Sequence, residues 1–125
     1  MTVNEQIAKE MGWEIGESFG NKIYIIYPRS LYAPSGKFGV SPVIVNDCDF
    51  SEDTMMGLWL AKLLIDKMRD KGFRVNISCD NDGAVAFVTH PDQHDPGIIW
   101  GTDEPELPAA IVALFKKVYG IADEN

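Results

Sequence analysis

The sequence has only two cysteines, Cys48 and Cys79, among 125 residues. Two thiols at this spacing form neither a disulfide scaffold nor a metal knuckle, so they are predicted to be buried free thiols. The chain also lacks an apolar run of membrane-spanning length. Its first residues are polar and acidic, unlike a signal peptide, so we expect a cytoplasmic protein.

Lysine and arginine are missing between Val75 and Phe115, and the net charge of the chain is −8. The charged residues of this base-free segment are Asp80, Asp82, Asp92, Asp95, Asp103, Glu104 and Glu106. An acidic balance argues against direct binding to nucleic acid or to an anionic membrane. The segment therefore predicts either a solvated surface or an acidic surface that meets a basic partner.

The length and composition favour one globular domain covering residues 1–125. Apolar residues make up 46% of the chain, which is ordinary for a folded protein. A chain of this size buries enough surface to fold without a disulfide or a metal, so no cofactor is expected.

Hydrophobic periodicity predicts helices at residues 2–11, at 51–72 and from Pro108 onward. Hairpins are predicted at residues 13–28 and 73–88, while 29–49 carries turn signals and one short possible strand at 43–45. Residues 90–106 are predicted to be a polar loop. The α-β-β-α-β-β-α order predicts an α+β fold in which an antiparallel sheet of about four strands carries flanking helices.

The predicted helix at 51–72, with Ser51 as its N-cap, is apolar on two opposite faces in its first half. One face consists of Gly57, Leu60, Ala61, Leu64, Ile65 and Met68, and the other consists of Met55, Met56, Trp59 and Leu63. A helix that covers one sheet needs only one apolar stripe. The second face must therefore be covered by another part of the chain or by a partner. Together with Trp100, its four residues are the candidate partner-binding side chains.

No arrangement of residues in the sequence indicates catalysis. There is no strained elbow around a serine, and the Ser-Gly-Lys at 35–37 lacks the spacing of a phosphate-binding loop. His90, Asp92 and His94 are of the residue types that bind divalent metals, but no helix or strand sets their spacing. They are weak metal-site candidates, and we expect a protein that is not an enzyme.

Several short segments, in order, resemble the phage ABA-sandwich domain family. They are Met11-Gly12-Trp13, Phe50-Ser51-Glu52-Asp53, Lys71-Gly72-Phe73-Arg74-Val75 and Glu106-Leu107-Pro108-Ala109-Ala110-Ile111. The resemblance covers most of the chain except residues 29–49 and 91–103. It implies a sheet between helices and a phage or prophage origin, but no catalytic residues, because the family has no established activity. Relatives tend to have Tyr-Ser-Thr-Asp where this chain has Phe50-Ser51-Glu52-Asp53.

The sequence and this resemblance together predict a small phage or prophage protein of unknown function. Without a catalytic arrangement, we expect it to bind another protein or to self-associate as a homo-oligomer in the host cytoplasm. The alternative is an acidic inhibitor that occupies the nucleic-acid-binding surface of a host defence protein. That alternative depends on the base-free acidic segment from Asp80 to Glu106.

Overall fold

The computed structural model describes residues 2–27, 42–48, 50–90 and 99–121. Its contacts group the chain into two compact units, Met1–Cys48 and Asp49–Asn125. Both units combine helix with antiparallel sheet, so the α+β class is confirmed. No helix in these residues has the length and apolar character needed to cross a membrane. The single domain and the cytoplasmic location stay predictions.

The first unit is a helix followed by a three-stranded antiparallel meander in the order β1-β2-β3. Its elements are α1 (Val3–Met11), β1 (Glu14–Ser18), β2 (Asn21–Ile26) and β3 (Val43–Asn46). The Thr2 hydroxyl caps α1 by accepting the Glu5 N–H at 3.1 Å. Gly12 ends the helix at a positive φ of 76°. Phe19 and Gly20, both at positive φ, then make the tight turn between β1 and β2.

The second unit places two helices and a second three-stranded antiparallel meander, ordered β4-β5-β6, in one compact body. Its elements are α2 (Met55–Asp70), β4 (Arg74–Asp80), β5 (Gly83–Thr89), β6 (Trp100–Glu104) and α3 (Leu107–Tyr119). Helix α3 contacts β5, β6 and α2, and α2 also contacts β4. The Tyr119 hydroxyl donates to the Lys67 carbonyl at 3.1 Å and so ties the two helices together.

The prediction of one sheet of about four strands is wrong for the described residues, which form two separate three-stranded sheets. The two predicted hairpins lie in different sheets, and each pairs with a third strand, β3 in the first unit and β6 in the second. The sequence pattern assigns β6 to a loop. Its residues do not alternate between apolar and polar, so local pattern does not mark it as a strand. Pairing with β5 and the buried Thr102 hydroxyl hold it, since that hydroxyl donates to the Ala110 carbonyl at 2.8 Å. The weak strand at 43–45 is confirmed as β3.

The two units share one order of elements, a helix, a hairpin and a third strand paired to the second strand. In each unit the first helix is followed by a glycine at positive φ and then an aromatic residue. These pairs are Gly12-Trp13 after α1 and Gly72-Phe73 after α2. The described residues therefore contain the α-β-β-β order twice, with a glycine-aromatic junction after the helix each time.

Two local predictions are wrong. Helix α2 is capped by Thr54 and not by Ser51, because the Thr54 hydroxyl accepts the Gly57 N–H at 2.9 Å. The thiols of Cys48 and Cys79 are exposed and not buried. Cys79 does lie on the same side of the sheet as its register partner Ala84. It is exposed because β4 is an edge strand and its far end is uncovered.

Candidate protein-binding surface

The sequence predicts the two faces of α2 largely correctly. Gly57, Leu60, Ala61, Leu64 and Met68 are buried, as the 100° periodicity requires, and Ile65 at the margin of that face is half-buried. The opposite face is exposed at its start, where Met55 is 89% and Met56 is 39% exposed. Trp59 and Leu63 are half-buried, so the chain covers this face only in part.

Leu58 is a surface residue that the sequence reasoning missed. It is 43% exposed and lies one turn along the helix from Met55. The signal was available, because 100° per residue puts Leu58 and Trp59 on either side of Met55. Met55, Met56, Leu58 and Trp59 together form a surface that we call the Met55 patch. Adjacent exposed apolar side chains of this kind mark interaction sites more often than isolated ones do.

The first turn of α2 that carries the Met55 patch is firmly anchored. Phe50 is buried, and the Thr54 cap holds the helix start. The segment before the helix folds back so closely that a Cβ at Gly57 would overlap the Glu52 carbonyl oxygen. Glycine is therefore required at position 57, and the backbone that carries Met55 and Met56 is held in place.

Acidic residues border the Met55 patch. Glu52 and Asp53 are exposed and lie three and two residues before Met55 in the chain. The carboxyl of Asp53 forms a hydrogen bond with Glu106, the N-cap residue of α3, and this bond raises the pKa of Glu106. The negative charge of Asp53 and partial desolvation raise that pKa further. The residues at the N-terminal ends of α2 and α3 thus meet in a pair of carboxyl groups, and Glu106 keeps its proton to a higher pH than usual.

This acid pair predicts how stability depends on pH. Because the pKa of Glu106 is raised in the folded state, its favourable contribution is complete below the ordinary glutamate pKa and is lost as pH rises through the raised value. Asp53→Asn removes the cause, so we expect the variant to be more stable than wild type near neutral pH. Below the ordinary glutamate pKa, where Glu106 is protonated, the difference should vanish. Chemical denaturation at a series of pH values measures this, and an equal effect at both extremes would contradict it.

The first unit holds a polar network that sequence reasoning did not find. The buried Tyr24 hydroxyl donates to Asp47 at 2.9 Å, and Asn4 donates to the same carboxylate at 3.0 Å. Lys22 pairs with Glu5, and this hydrogen bond lowers the pKa of Glu5. Burial, followed by the hydrogen bond to Asp47, raises the pKa of Tyr24, so its phenol stays protonated as a donor. No sequence signal joins Tyr24 to Asp47, since a strand and a long connection separate them.

An open depression of about 380 Å³ lies beside this network. It is lined by Gly20, Asn21, Lys22, Asn46 and Asp47. Its charged side chains are already engaged, Lys22 with Glu5 and Asp47 with Tyr24 and Asn4. We therefore assign the network a structural role, which is to satisfy the buried phenol and to hold α1 against the segment after β3.

The remaining candidates lie elsewhere. Trp100 is half-buried in β6, where its ring packs edge-on against Phe73 at 5.8 Å between centroids. His90 is exposed with its ring 6.1 Å from that of Phe73, while Asp92 and His94 lie outside the described residues. No group of three potential metal-ligating side chains occurs within the described part of the chain. Phe19, which sequence reasoning did not select, is fully exposed at the tip of the first hairpin.

Comparison with known proteins adds no further assignment. No family model, curated protein or solved structure matches this chain. The resemblance to the phage ABA-sandwich family stays a prediction. The structure thus offers an exposed apolar patch at the start of α2 and a satisfied polar network in the first unit.

Proposed function

We propose that this chain is a small phage or prophage protein that acts by binding another protein and not by catalysis. The observation that carries the proposal is the Met55 patch, with its exposed methionines on an anchored helix start. Methionine side chains are flexible and polarizable, and they suit surfaces that adapt to a partner. The resemblance to the phage ABA-sandwich family supplies the suggested origin.

The charges around the patch define the kind of partner. Glu52 and Asp53 are exposed at its border, and the acid pair with Glu106 adjoins them. A complementary partner has an apolar pocket for Met55 and Met56 and basic residues at the rim of that pocket. Apolar anchors would then supply most of the affinity, while the acidic border would speed association and select against acidic surfaces.

The test is capture of host proteins on immobilised chain, with quantitative comparison of variants. We expect the double substitution Met55→Lys and Met56→Lys to reduce capture of the specific partner by about tenfold or more, because it places charge in the apolar contact. Both side chains are exposed, so the fold should persist, which circular dichroism checks. Ile44→Lys is the matched control, since Ile44 is also an exposed apolar residue but lies in β3.

The same experiment distinguishes this proposal from the alternative, which is an acidic inhibitor of a host nucleic-acid-binding defence protein. Asp80, Asp82 and Asp103 are exposed, whereas Asp92 and Asp95 lie outside the described residues. If capture survives the methionine substitutions but is lost when Asp82 and Asp103 are changed to lysine, the result favours the inhibitor. It would also contradict the proposal that the Met55 patch binds the partner. If neither set of substitutions affects capture, both proposals are contradicted.

A further inference from the structure

Strand β4 has an open edge. It pairs with β5 on one side, and no strand within the described residues pairs with its other side. The strand is seven residues long, contains no proline or lysine, and is exposed from Ile77 to Asp80. Natural edge strands usually carry such protective residues, because an open edge pairs readily with another strand. The charged residues of β4 lie only at its two ends, so the middle of this edge is unprotected and needs an explanation.

The outward backbone groups of β4 follow from the register. The Val88 carbonyl accepts the Ile99 N–H at 3.0 Å, so the backbone groups of Val88 face β6. Its partner Val75 then directs its own N–H and C=O away from β5, because the direction alternates along an antiparallel ladder. Ile77 and Cys79 have the same orientation as Val75. Three donors and three acceptors thus point out of the open edge.

We infer that β4 pairs antiparallel with β4 of a second copy of this chain, across a twofold axis at Ile77. In this register Ile77 faces Ile77 of the second copy, and Val75 faces Cys79. These are the residues whose backbone groups point outward, so the pairing forms about six new backbone hydrogen bonds. The two β4-β5-β6 sheets become one continuous six-stranded sheet.

Charge complementarity selects this occupant and this register. The strand begins with Arg74 and ends with Asp80, so antiparallel pairing about Ile77 puts Arg74 of each copy opposite Asp80 of the other. Parallel pairing in register would instead put each charge opposite a like charge, which is unfavourable. A shift of two residues would separate the Arg–Asp pairs. In Asp80, Oδ1 accepts the N–H groups of Asp82 and Gly83. In the proposed register, the other carboxylate oxygen would accept from Arg74 of the second copy.

The same pairing covers the apolar surface that β4 leaves open. Ile77 is 41% exposed, although it shares the helix-bearing side of the sheet with its buried partner Ala86. Opposite Ile77 of the second copy, it would form an apolar cross-strand contact. The exposed thiol of Cys79 would lie against Val75. This interface is separate from the Met55 patch and does not depend on the proposed function.

Sedimentation velocity over a concentration series tests the inference. We expect wild type to dimerise and Ile77→Lys to raise the dimer dissociation constant about tenfold or more, because the two lysines would face each other at the axis. Val85→Lys is the matched control, since Val85 is 40% exposed but lies on the central strand β5. A wild-type chain that stays monomeric throughout the series, or a control that weakens the dimer equally, overturns the inference.

Two further variants test the register. Arg74→Asp and Asp80→Arg should each weaken self-association, whereas an equimolar mixture should restore it, because the mixed dimer regains an opposite charge at both ends.

Ile77→Cys with Cys48 and Cys79 changed to serine should give a disulfide-linked dimer on mild oxidation, since opposed Cα atoms about 5.5 Å apart suit a disulfide. Val85→Cys in the same background should stay monomeric. A dimer that Ile77→Cys fails to cross-link refutes this register, and the cross-linking result does not depend on whether Asp80→Arg folds.

Discussion

Replacing Phe115 with alanine is expected to lower the free energy of unfolding by about 3–5 kcal/mol. Phe115 is completely buried in the middle of α3, and its ring packs against that of Tyr119 with centroids 4.5 Å apart. Tyr119 in turn bonds to the Lys67 carbonyl of α2, so the cavity would form beside the contact that joins the two helices. Equilibrium denaturation followed by circular dichroism gives the change.

Phe19 provides the matched control for this substitution. It is also a phenylalanine, but its side chain is fully exposed at the turn between β1 and β2. Phe19→Ala removes the same atoms without creating a cavity, so we expect stability to change by no more than about 0.5 kcal/mol. If the two variants lost similar stability, Phe115 would not be in a packed core.

Gly57→Ala is the second large effect, and its direction is opposite to that expected for an ordinary helix position. Alanine in place of glycine inside a helix usually stabilises by about 1 kcal/mol. Here the new Cβ would overlap the Glu52 backbone carbonyl, and a backbone atom cannot move aside as a flexible side chain can. We therefore expect a loss of about 1–3 kcal/mol, as for an overpacked site.

A second glycine tests whether this loss is specific to the helix start. A Cβ at Gly16 in β1 would meet only side-chain atoms of Ile23 and Ile25, at 3.4 Å or more. Gly16→Ala should therefore be neutral or slightly stabilising, because it restricts the unfolded chain without a clash. A gain in stability for Gly57→Ala would show that the segment before α2 does not fold back as described. It would also remove the anchoring that holds the Met55 patch.

Much of the candidate surface could be predicted from α2 itself. Helical periodicity separates the buried face from the face that begins with Met55, because side-chain directions in a helix depend only on spacing along the chain. Periodicity could not show that Trp59 and Leu63 are half-covered while Met55 is exposed. Coverage depends on where the neighbouring segments end, and spacing along one helix does not contain that information.

The sequence by itself determined the α+β class, the three helices and both hairpins, since caps, turns and periodicity act between residues close in the chain. Only the tertiary structure decided that the strands form two sheets, that β6 exists, and that the edge of β4 is open with Ile77 and Cys79 exposed. Each of these outcomes depends on pairing between segments far apart in sequence. Such pairing is set by the backbone groups and surfaces that remain once the local elements have formed.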